Sequence, residues 1–419
     1  MSKPRILVLG SGGREHALCW HLKNFQYEVF CAPGRDGIAL EVPCMPFKDF
    51  SELLQIIQKL KIDLVIVGPE KYLAEGVADF LQNKGVNVFG PTKLAAQLES
   101  DKAWAKDFCI RHNIPQARVE TLTRIDDFLD AISKFQPPYV LKASGLAAGK
   151  GVWIGSDLKE AEAFAQEALK AHPALVIEDF LPGEEVSYFA MVDGDHFLVL
   201  GGAQDHKRLL ENDRGPNTGG MGAYSPVPIL TQSLEQKIIS KILRPTLQGL
   251  KTDKIHYRGF VFLGAMIVKD EPYLLEYNCR MGDPETQALL LRLQSSLVDL
   301  IDSLKRGEPM TAKLSSLVSL NVVVAAQGYP DNPKSGFTML GLDAAPSSSK
   351  IFHSGTKKSK DGWTAVGGRL FSVNTAQNTL FDCQQSLYPW IESLPFLNDV
   401  TYRRDIAVKA YKHLIADAS

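Results

Sequence analysis

The stretch from Glu276 to Gln287, Glu-Tyr-Asn-Cys-Arg-Met-Gly-Asp-Pro-Glu-Thr-Gln, gathers two different chemistries in one short segment. It follows an apolar run, Phe260 to Val268, and a turn at Lys269-Asp270-Glu271, so it reads as the end of a hairpin's second strand, Pro272 to Tyr277, running into a loop. Residues two apart on a strand face the same side. Glu276 and Asn278 therefore present two hard oxygen ligands together. Such a pair suits Mg²⁺ shared with substrate phosphates better than a closed protein cage. Arg280, Asp283 and Glu285 follow at once and could hold a charged substrate. The plainer reading is a polar strand end followed by a solvated loop.

Four other segments carry chemistry. Gly10-Ser-Gly-Gly-Arg-Glu-His16 follows a strand and opens a helix, where backbone N–H groups can hold a phosphate. A dinucleotide site is disfavoured, because Glu15 stands at the third glycine position and the ribose-binding acid is missing after Phe30. A monophosphate or a purely structural turn remain as readings. Lys142 to Gly151 is a glycine-rich loop bounded by Lys142 and Lys150. It lacks Walker A spacing, yet two cations and mobile glycines suit a flap over nucleotide phosphates as well as they suit a flexible hairpin. Glu178-Asp-Phe-Leu-Pro-Gly-Glu-Glu185 links two strands. Its backbone could read an adenine edge, although acidic inter-strand turns are common. Asp205-His-Lys-Arg208 and Gly215-Pro-Asn-Thr-Gly-Gly-Met-Gly222 share a long polar stretch, Gln204 to Ser225. A structureless loop of that length is usually functional. No Ser-His-Asp order or zinc spacing stands out, and neither His206 nor His353 is nominated as a base.

These residues need positioning elements. Strands are expected at Ile6–Leu9, Glu28–Phe30, Leu64–Val67 and Val86–Phe89, with helices at about Glu15–Leu22, Ser51–Leu60 and Leu73–Lys84. This βαβ rhythm implies a doubly wound parallel sheet with ligand loops at the strands' carboxyl ends, including Gly68-Pro69-Glu70. From about Asp101 the pattern mixes strands and helices: a helix at Lys102–His112, a strand at Tyr139–Ala143, an Ala/Glu-rich helix at Asp157–Ala171 and a hairpin turning at Asp193-Gly194-Asp195. Further helices are expected at Leu234–Leu250 and from Gln287 towards Lys305. Strands close the chain at Leu320–Ala326, Lys350–Phe352 and Ala365–Val373.

At 419 residues the chain exceeds one ordinary domain, and 45% hydrophobic residues suffice for several cores. A net charge of -2 gives no footprint for nucleic acid. No apolar run reaches the roughly 18 residues of a membrane helix. The N-terminus lacks the apolar core of a signal peptide, and six scattered cysteines without a Cys-x-x-Cys pair point to reduced thiols in the cytoplasm.

Taken together, these motifs resemble the phosphoribosylamine–glycine ligase family of ATP-grasp enzymes over essentially the full length. The words that carry the resemblance are Gly-Ser-Gly-Gly-Arg-Glu-His-Ala-Leu from Gly10, Val-Gly-Pro-Glu from Val67, Gly-Leu-Ala-Ala-Gly-Lys-Gly from Gly145 and Gln-Asp-His-Lys-Arg from Gln204, followed by the segments from Gly215 and Glu276. The resemblance implies an α/β and α+β multidomain fold: an N-terminal doubly wound parallel sheet (1–101), a central ATP-grasp region (102–308) with a small lid at about 122–192, and a C-terminal α/β domain (309–419). It implies that ATP, glycine and 5-phosphoribosylamine give ADP, phosphate and glycinamide ribonucleotide through glycyl phosphate. By similarity, Glu276 and Asn278 hold Mg²⁺, with Mn²⁺ as the alternative ion. Lys102, Lys142 and Lys150 meet the ATP phosphates. Glu178, Phe180 and Leu181 hold adenine, and Glu185 the ribose. Lys207 with Gly219 and Gly220 closes on the reacting phosphates, while Arg280, Asp283 and Glu285 position glycine and the acyl phosphate. Gly12, Gly13, Pro69 and Glu70 hold phosphoribosylamine. A cytoplasmic monomer without a nucleic-acid or membrane partner is expected. Two positions depart from the family pattern: Ala168–Leu175 runs through where an insertion is usual, and Ser144 stands where Asp is common. The competing functions are another ATP-grasp carboxylate–amine ligase and a silent ATP-binding regulator.

Overall fold

Ile6 to Leu9 form the centre of a four-stranded parallel sheet ordered Glu28–Pro33, Arg5–Gly10, Leu64–Val67, Val88–Phe89 in the computed structural model, which describes residues 3–146, 151–308 and 310–416. All four side chains are fully buried. Alternation sends Leu7 and Leu9 into one core, with Leu53 and Ile57 of the Phe50–Leu60 helix, and Ile6 and Val8 into another, with Leu18 and Leu22 of the Gly13–Lys23 helix. Helices on both faces explain why these strands are continuously apolar. Asp49 starts its helix by accepting from the N–H groups of Ser51 and Glu52, both at 2.9 Å. The single helix expected over Leu73–Lys84 is two, Glu70–Ala74 and Val77–Gln82. Gly76 separates them at φ +86°, a left-handed conformation that ends a helix although the apolar period continues.

The middle and the end of the chain share one large antiparallel sheet, ordered Glu271–Asn278, Arg258–Val268, Glu184–Asp193, His196–Asp205, Gly222–Ser225, Val318–Ala326, Arg369–Gln377, Ser349–His353. The Glu184–Asp193 and Arg258–Val268 strands pair from Arg258↔Asp193 to Ile267↔Glu184. Alternation again serves two cores: Tyr188, Ala190 and Val192 on one face, Phe189 and Met191 on the other. Gly222–Ser225 joins this sheet to Val318–Ala326, so the last third of the chain extends the same sheet. A smaller sheet, Val119–Leu122, Leu175–Glu178, Tyr139–Ala143, Val152–Gly155, carries the Leu158–Ala171 helix, whose Ala161, Ala165 and Ala168 pack on it at one helical face.

Three further expectations change. The Gln204–Ser225 stretch is structured, with a short hairpin, Arg208–Leu210 against Arg214–Asn217, before the Gly222–Ser225 strand. The helix expected from Gln287 to Lys305 is two, Glu285–Arg292 and Leu297–Arg306; Ser296 caps the second by accepting from Asp299 N–H at 3.2 Å. The strand expected over Ala365–Val373 is interrupted at 366–368, where the backbones of Gly355 and Gly367 approach too closely for a side chain. Among the described residues, no helix is long and apolar enough to cross a membrane.

Leu263 lies fully buried at the middle of its strand, opposite Tyr188 and Tyr277. Leu263→Ala is expected to cost about 2–5 kcal/mol in urea unfolding, and a loss below about 1 kcal/mol contradicts this packing.

Candidate active site

Where the small sheet faces the large one lies a cavity of about 760 Å³. Most of the residues singled out in the sequence line it: Glu70, Lys102, Lys142, Glu178, Phe180, Leu181, Glu185, Lys207, Gly219, Glu276, Asn278, Arg280, Asp283 and Glu285. Lys150 lies outside the described residues. Gly12, Gly13, Pro69 and Gly220 do not line the cavity; Gly12 and Gly13 lie against its wall residue Asp283, Gly220 against Asp205, and Pro69 immediately precedes Glu70. A Cβ at Gly12 would lie 3.7 Å from the Asp283 carboxylate, and one at Gly13 would lie 2.8 Å from the Gln287 amide.

One end of the cavity is apolar. Leu146, Ile154 and Phe180 line it and are 39%, 39% and 42% exposed, apolar surface suited to a flat ring. The residues 179–181 run between two strands without regular pairing, leaving backbone polar groups beside this slot. The Glu178 side chain is elsewhere. Its buried carboxylate is 2.9 Å from the Lys142 ammonium and 3.2 Å from that of Lys106. Burial opposes its ionisation, but Lys106 and then Lys142 outweigh that and hold its pKa below the usual range. The Glu178 side chain is thus engaged by two lysines, and what it can offer to the slot is its backbone. Both lysines also donate to the carbonyl of Leu275, at 3.1 and 3.2 Å. Leu275 is the extra residue of a β-bulge opposite Gly264 and Ala265, immediately before Glu276.

The other end is charged. Glu185 and Glu276 both pair with Lys207, the second at 3.5 Å. Burial disfavours the Glu276 carboxylate, yet Lys207, Lys142, Lys102 and Arg280 bring its pKa down to about 2. These cations outweigh burial and leave a carboxylate ionised throughout the working pH range. Asn278, two residues on, is buried, and its amide nitrogen has no hydrogen-bond partner. Amide oxygen and nitrogen are assigned by their neighbours, so this side chain is uncommitted and fits a cation ligand. Among the described residues no cluster of three or more His, Cys, Asp or Glu is placed to hold a metal ion. The chain alone thus offers an open half-site rather than a cage.

Beyond Glu276 and Asn278 the network involves residues that the sequence motifs did not reveal. Arg280 is held by Glu70 at 3.2 Å and by Glu99 at 2.8 Å. Arg14 lies 3.8 Å from the same Glu70 oxygen. Burial opposes ionisation of Glu70, but Arg280 and Arg14 lower its pKa to about 2. Asp283 is held by Arg369, from the final third of the chain, at 3.0 Å; the same guanidinium donates to the carbonyls of Gly219 at 2.6 Å and Asp283 at 2.7 Å. Glu285, on the first turn of its helix, accepts from Ser187 at 2.9 Å. Burial raises the pKa of both Glu285 and Asp205, the latter also through the Glu285 charge. Gly220 sits at φ +105° against Pro284 and Asp205, which a side chain would meet. The glycine turn at the amino end is already occupied: Ser11 and Gly12 N–H groups donate to the Glu15 carboxylate at 3.1 and 2.7 Å. Ser144, where the family pattern has Asp, donates to Asp101 at 2.7 Å and accepts from Ala103 N–H at 2.9 Å, helping to start the Lys102–Arg111 helix. Burial lowers the pKa of His206 to about 3 and of His353 to about 4, so both imidazoles are neutral near pH 7.

Asp205 lies in a segment singled out for its basic residues, whereas Lys106, Glu99 and Arg369 fall in no motif. Lys106 alone carried a usable hint, as a lysine on the buried side of a helix with Phe108 and Cys109.

Comparisons with known proteins cover the same ground. The chain matches the phosphoribosylglycinamide synthetase N domain over residues 4–99, the ATP-grasp (A) domain over 100–286 and the C domain over 319–409. A phosphoribosylamine–glycine ligase of Xanthomonas campestris is 42% identical over 422 residues, covering 97% of this chain and 98% of the relative. The crystal structure of phosphoribosylamine–glycine ligase from Thermotoga maritima superposes with a TM-score of 0.85 at 34% identity, covering 96% of this chain and all of that one. Biotin carboxylase of Campylobacter jejuni shares the fold at 12% identity, with a TM-score of 0.73 over 97% of this chain and 94% of that one.

Because the Glu70 pKa is depressed, its stabilising effect is complete above the unfolded value of 4.5 and fades as pH falls towards about 2. The difference in unfolding free energy between wild type and Glu70→Gln, measured in urea, should therefore shrink over that range. A difference that grows on acidification contradicts the Glu70–Arg280 pairing.

Proposed function

The chain belongs to the phosphoribosylglycinamide synthetase family, and from that premise we propose how its own residues divide the work of the reaction. The activity is ATP-dependent ligation of glycine to 5-phosphoribosylamine, a step of purine biosynthesis. The observation that carries the division of roles is the convergence of Lys102, Lys142, Lys207 and Glu276 on one cavity with an apolar slot at its far end.

In this reading the slot beside Phe180 and Leu181 takes adenine, with the backbone after Glu178 reading the base edge and Glu185 the ribose. Lys102, Lys142 and Lys207 meet the phosphates; Lys150 belongs to the same group by sequence. Phosphoryl transfer needs alignment and charge neutralisation more than covalent help from the protein. Glu276 and Asn278 would hold Mg²⁺, which when bound neutralises phosphate charge and aligns the γ-phosphoryl group. Arg280 presents its guanidinium to glycine's carboxylate. Asp283 and Glu285 lie on the side where an ammonium group would rest. A carboxyl whose pKa is raised by burial, as in Glu285 and Asp205, becomes easier to ionise when that cation arrives. The glycine carboxylate oxygen attacks the γ-phosphorus and ADP leaves. The amine of phosphoribosylamine then attacks the acyl carbon, and phosphate departs with the former glycine oxygen. Gly13, Pro69 and Glu70, at the carboxyl ends of the parallel strands, border the site for that second substrate. The six cysteines are all free thiols, which supports a reducing, cytoplasmic setting. We take the working unit to be a monomer.

The test uses glycine labelled with ¹⁸O in its carboxylate, together with ATP and freshly made phosphoribosylamine. One labelled oxygen should appear in the released phosphate, and unlabelled phosphate overturns the acyl phosphate route. Glu276→Ala should keep its far-UV circular dichroism and lose at least about 10²-fold in kcat. Near wild-type turnover with Mg²⁺ would remove Glu276 from the metal site.

A further inference from the structure

Lys207 and Gly219, both assigned to the ATP phosphates above, flank the Arg208–Leu210/Arg214–Asn217 hairpin. A lone two-stranded hairpin is marginal in water. This one also turns through Asn212 and Asp213 at φ +58° and +52°, left-handed conformations for residues other than glycine. Something outside the hairpin must hold it.

The holder comes from nearly two hundred residues later in the chain. Arg403 is 1% exposed, among the largest fully buried side chains of the protein. Its Nη1 donates to Asp213 Oδ1 at 2.8 Å and to the carbonyl of Arg208 at 3.0 Å, touching both the tip and the base of the hairpin. Its Nε and Nη2 fork onto the two oxygens of Asp405 at 2.7 and 2.8 Å. Asp405 in turn accepts from the Asn212 N–H at 2.8 Å. Lys409 pairs with Asp213 at 2.7 Å, and the Ala407 N–H donates to His206 Nε2 at 3.2 Å, beside Lys207. The segment 403–409 thus grips the hairpin at its tip, at its base and at the residue before Lys207. Among the described residues, the hydrogen-bond partners of the Arg403 guanidinium apart from Asp405 are hairpin atoms, and none belongs to the core of the C-terminal region.

We propose that Arg403 is a positioning residue for the reaction: with Asp405 it fixes the Arg208–Asn217 hairpin and so sets Lys207 and Gly219 against the ATP phosphates. This rests on the nucleotide site described under the proposed function. A bidentate fork makes Arg403 irreplaceable by lysine, which offers a point charge and no fixed plane. Small misplacements of a phosphate-binding group are enough to slow transfer strongly.

The experiment uses the full-length enzyme carrying Arg403→Lys or Asp405→Asn. Asp405 does not line the cavity, so its variant acts only through Arg403 and the hairpin. Two readouts are taken: KM for ATP and for glycine separately, and trypsin cleavage at the exposed Arg214 with and without a non-hydrolysable ATP analogue and Mg²⁺. The expected result is a fall of about tenfold in kcat/KM for ATP. KM for glycine should stay within about twofold. The nucleotide should protect Arg214 in the wild type and fail to protect it in the variants. Unchanged ATP kinetics with only a lowered Tm would make the cluster structural and overturn the proposal. Should Arg403→Lys not fold, Asp405→Asn gives the same decision. A wild type that the analogue leaves unprotected overturns the nucleotide site itself, and the positioning role with it.

Discussion

A cavity built to receive a triphosphate must survive without one, and the rest of this structure answers to that electrostatic constraint. Lys102, Lys106, Lys142 and Lys207 are brought within one cavity wall, together with Arg280 and Arg369. Each paired cation meets a carboxylate: Glu178 is shared by Lys106 and Lys142, Glu185 and Glu276 meet Lys207, Glu99 and Glu70 meet Arg280, and Asp283 meets Arg369. Removing ions from water is costly, and a buried ion pair is weak evidence for stability. What these pairs supply here is geometry. Glu178 holds two ammonium groups at one carbonyl, that of Leu275, and this anchors the bulge from which Glu276 projects.

The fold makes this charge cluster possible by bringing distant segments to one seam. The large sheet supplies Glu185 and Ser187 on one face of one strand and Glu276 with Asn278 on another. The small sheet supplies Lys142 and Glu178 on neighbouring strands paired as Lys142↔Val176 and Val140↔Glu178. The parallel sheet brings Glu70 at the carboxyl end of a strand, where ligands are bound in such sheets. Because the large sheet continues into the C-terminal region, Arg369 reaches Asp283 and Gly219 without a flexible linker between them. The C-terminal region is in this sense part of the cavity wall.

The legible parts of the sequence were those set by short-range periodicity. The alternation of Glu276 and Asn278, the buried run Ile6–Leu9 and the Ala/Glu-rich helix that ends at Ala171 follow from residues within a turn or a strand of one another. Breaks inside periodic segments were not legible. Gly76 interrupts a helix whose apolar spacing continues past it, and 293–296 does the same between two helices, because backbone conformation there is decided by tertiary packing. Least legible were the partners of the site residues. Glu99 meets Arg280 and Arg369 meets Asp283 across 181 and 86 residues of chain, and no local pattern encodes a pairing at that range. Nor do the motif words show that the Glu178 carboxylate pairs with Lys142 or that the Gly12 N–H donates to Glu15.

A crystal structure of the enzyme with Mg²⁺ and a non-hydrolysable ATP analogue tests the central claim most directly. The account predicts adenine in the slot beside Phe180 and Leu181, phosphates against Lys102, Lys142 and Lys207, and the ion held by Glu276 and Asn278 together with phosphate oxygens. Phosphates bound away from those three lysines, or an ion that touches neither Glu276 nor Asn278, would contradict it.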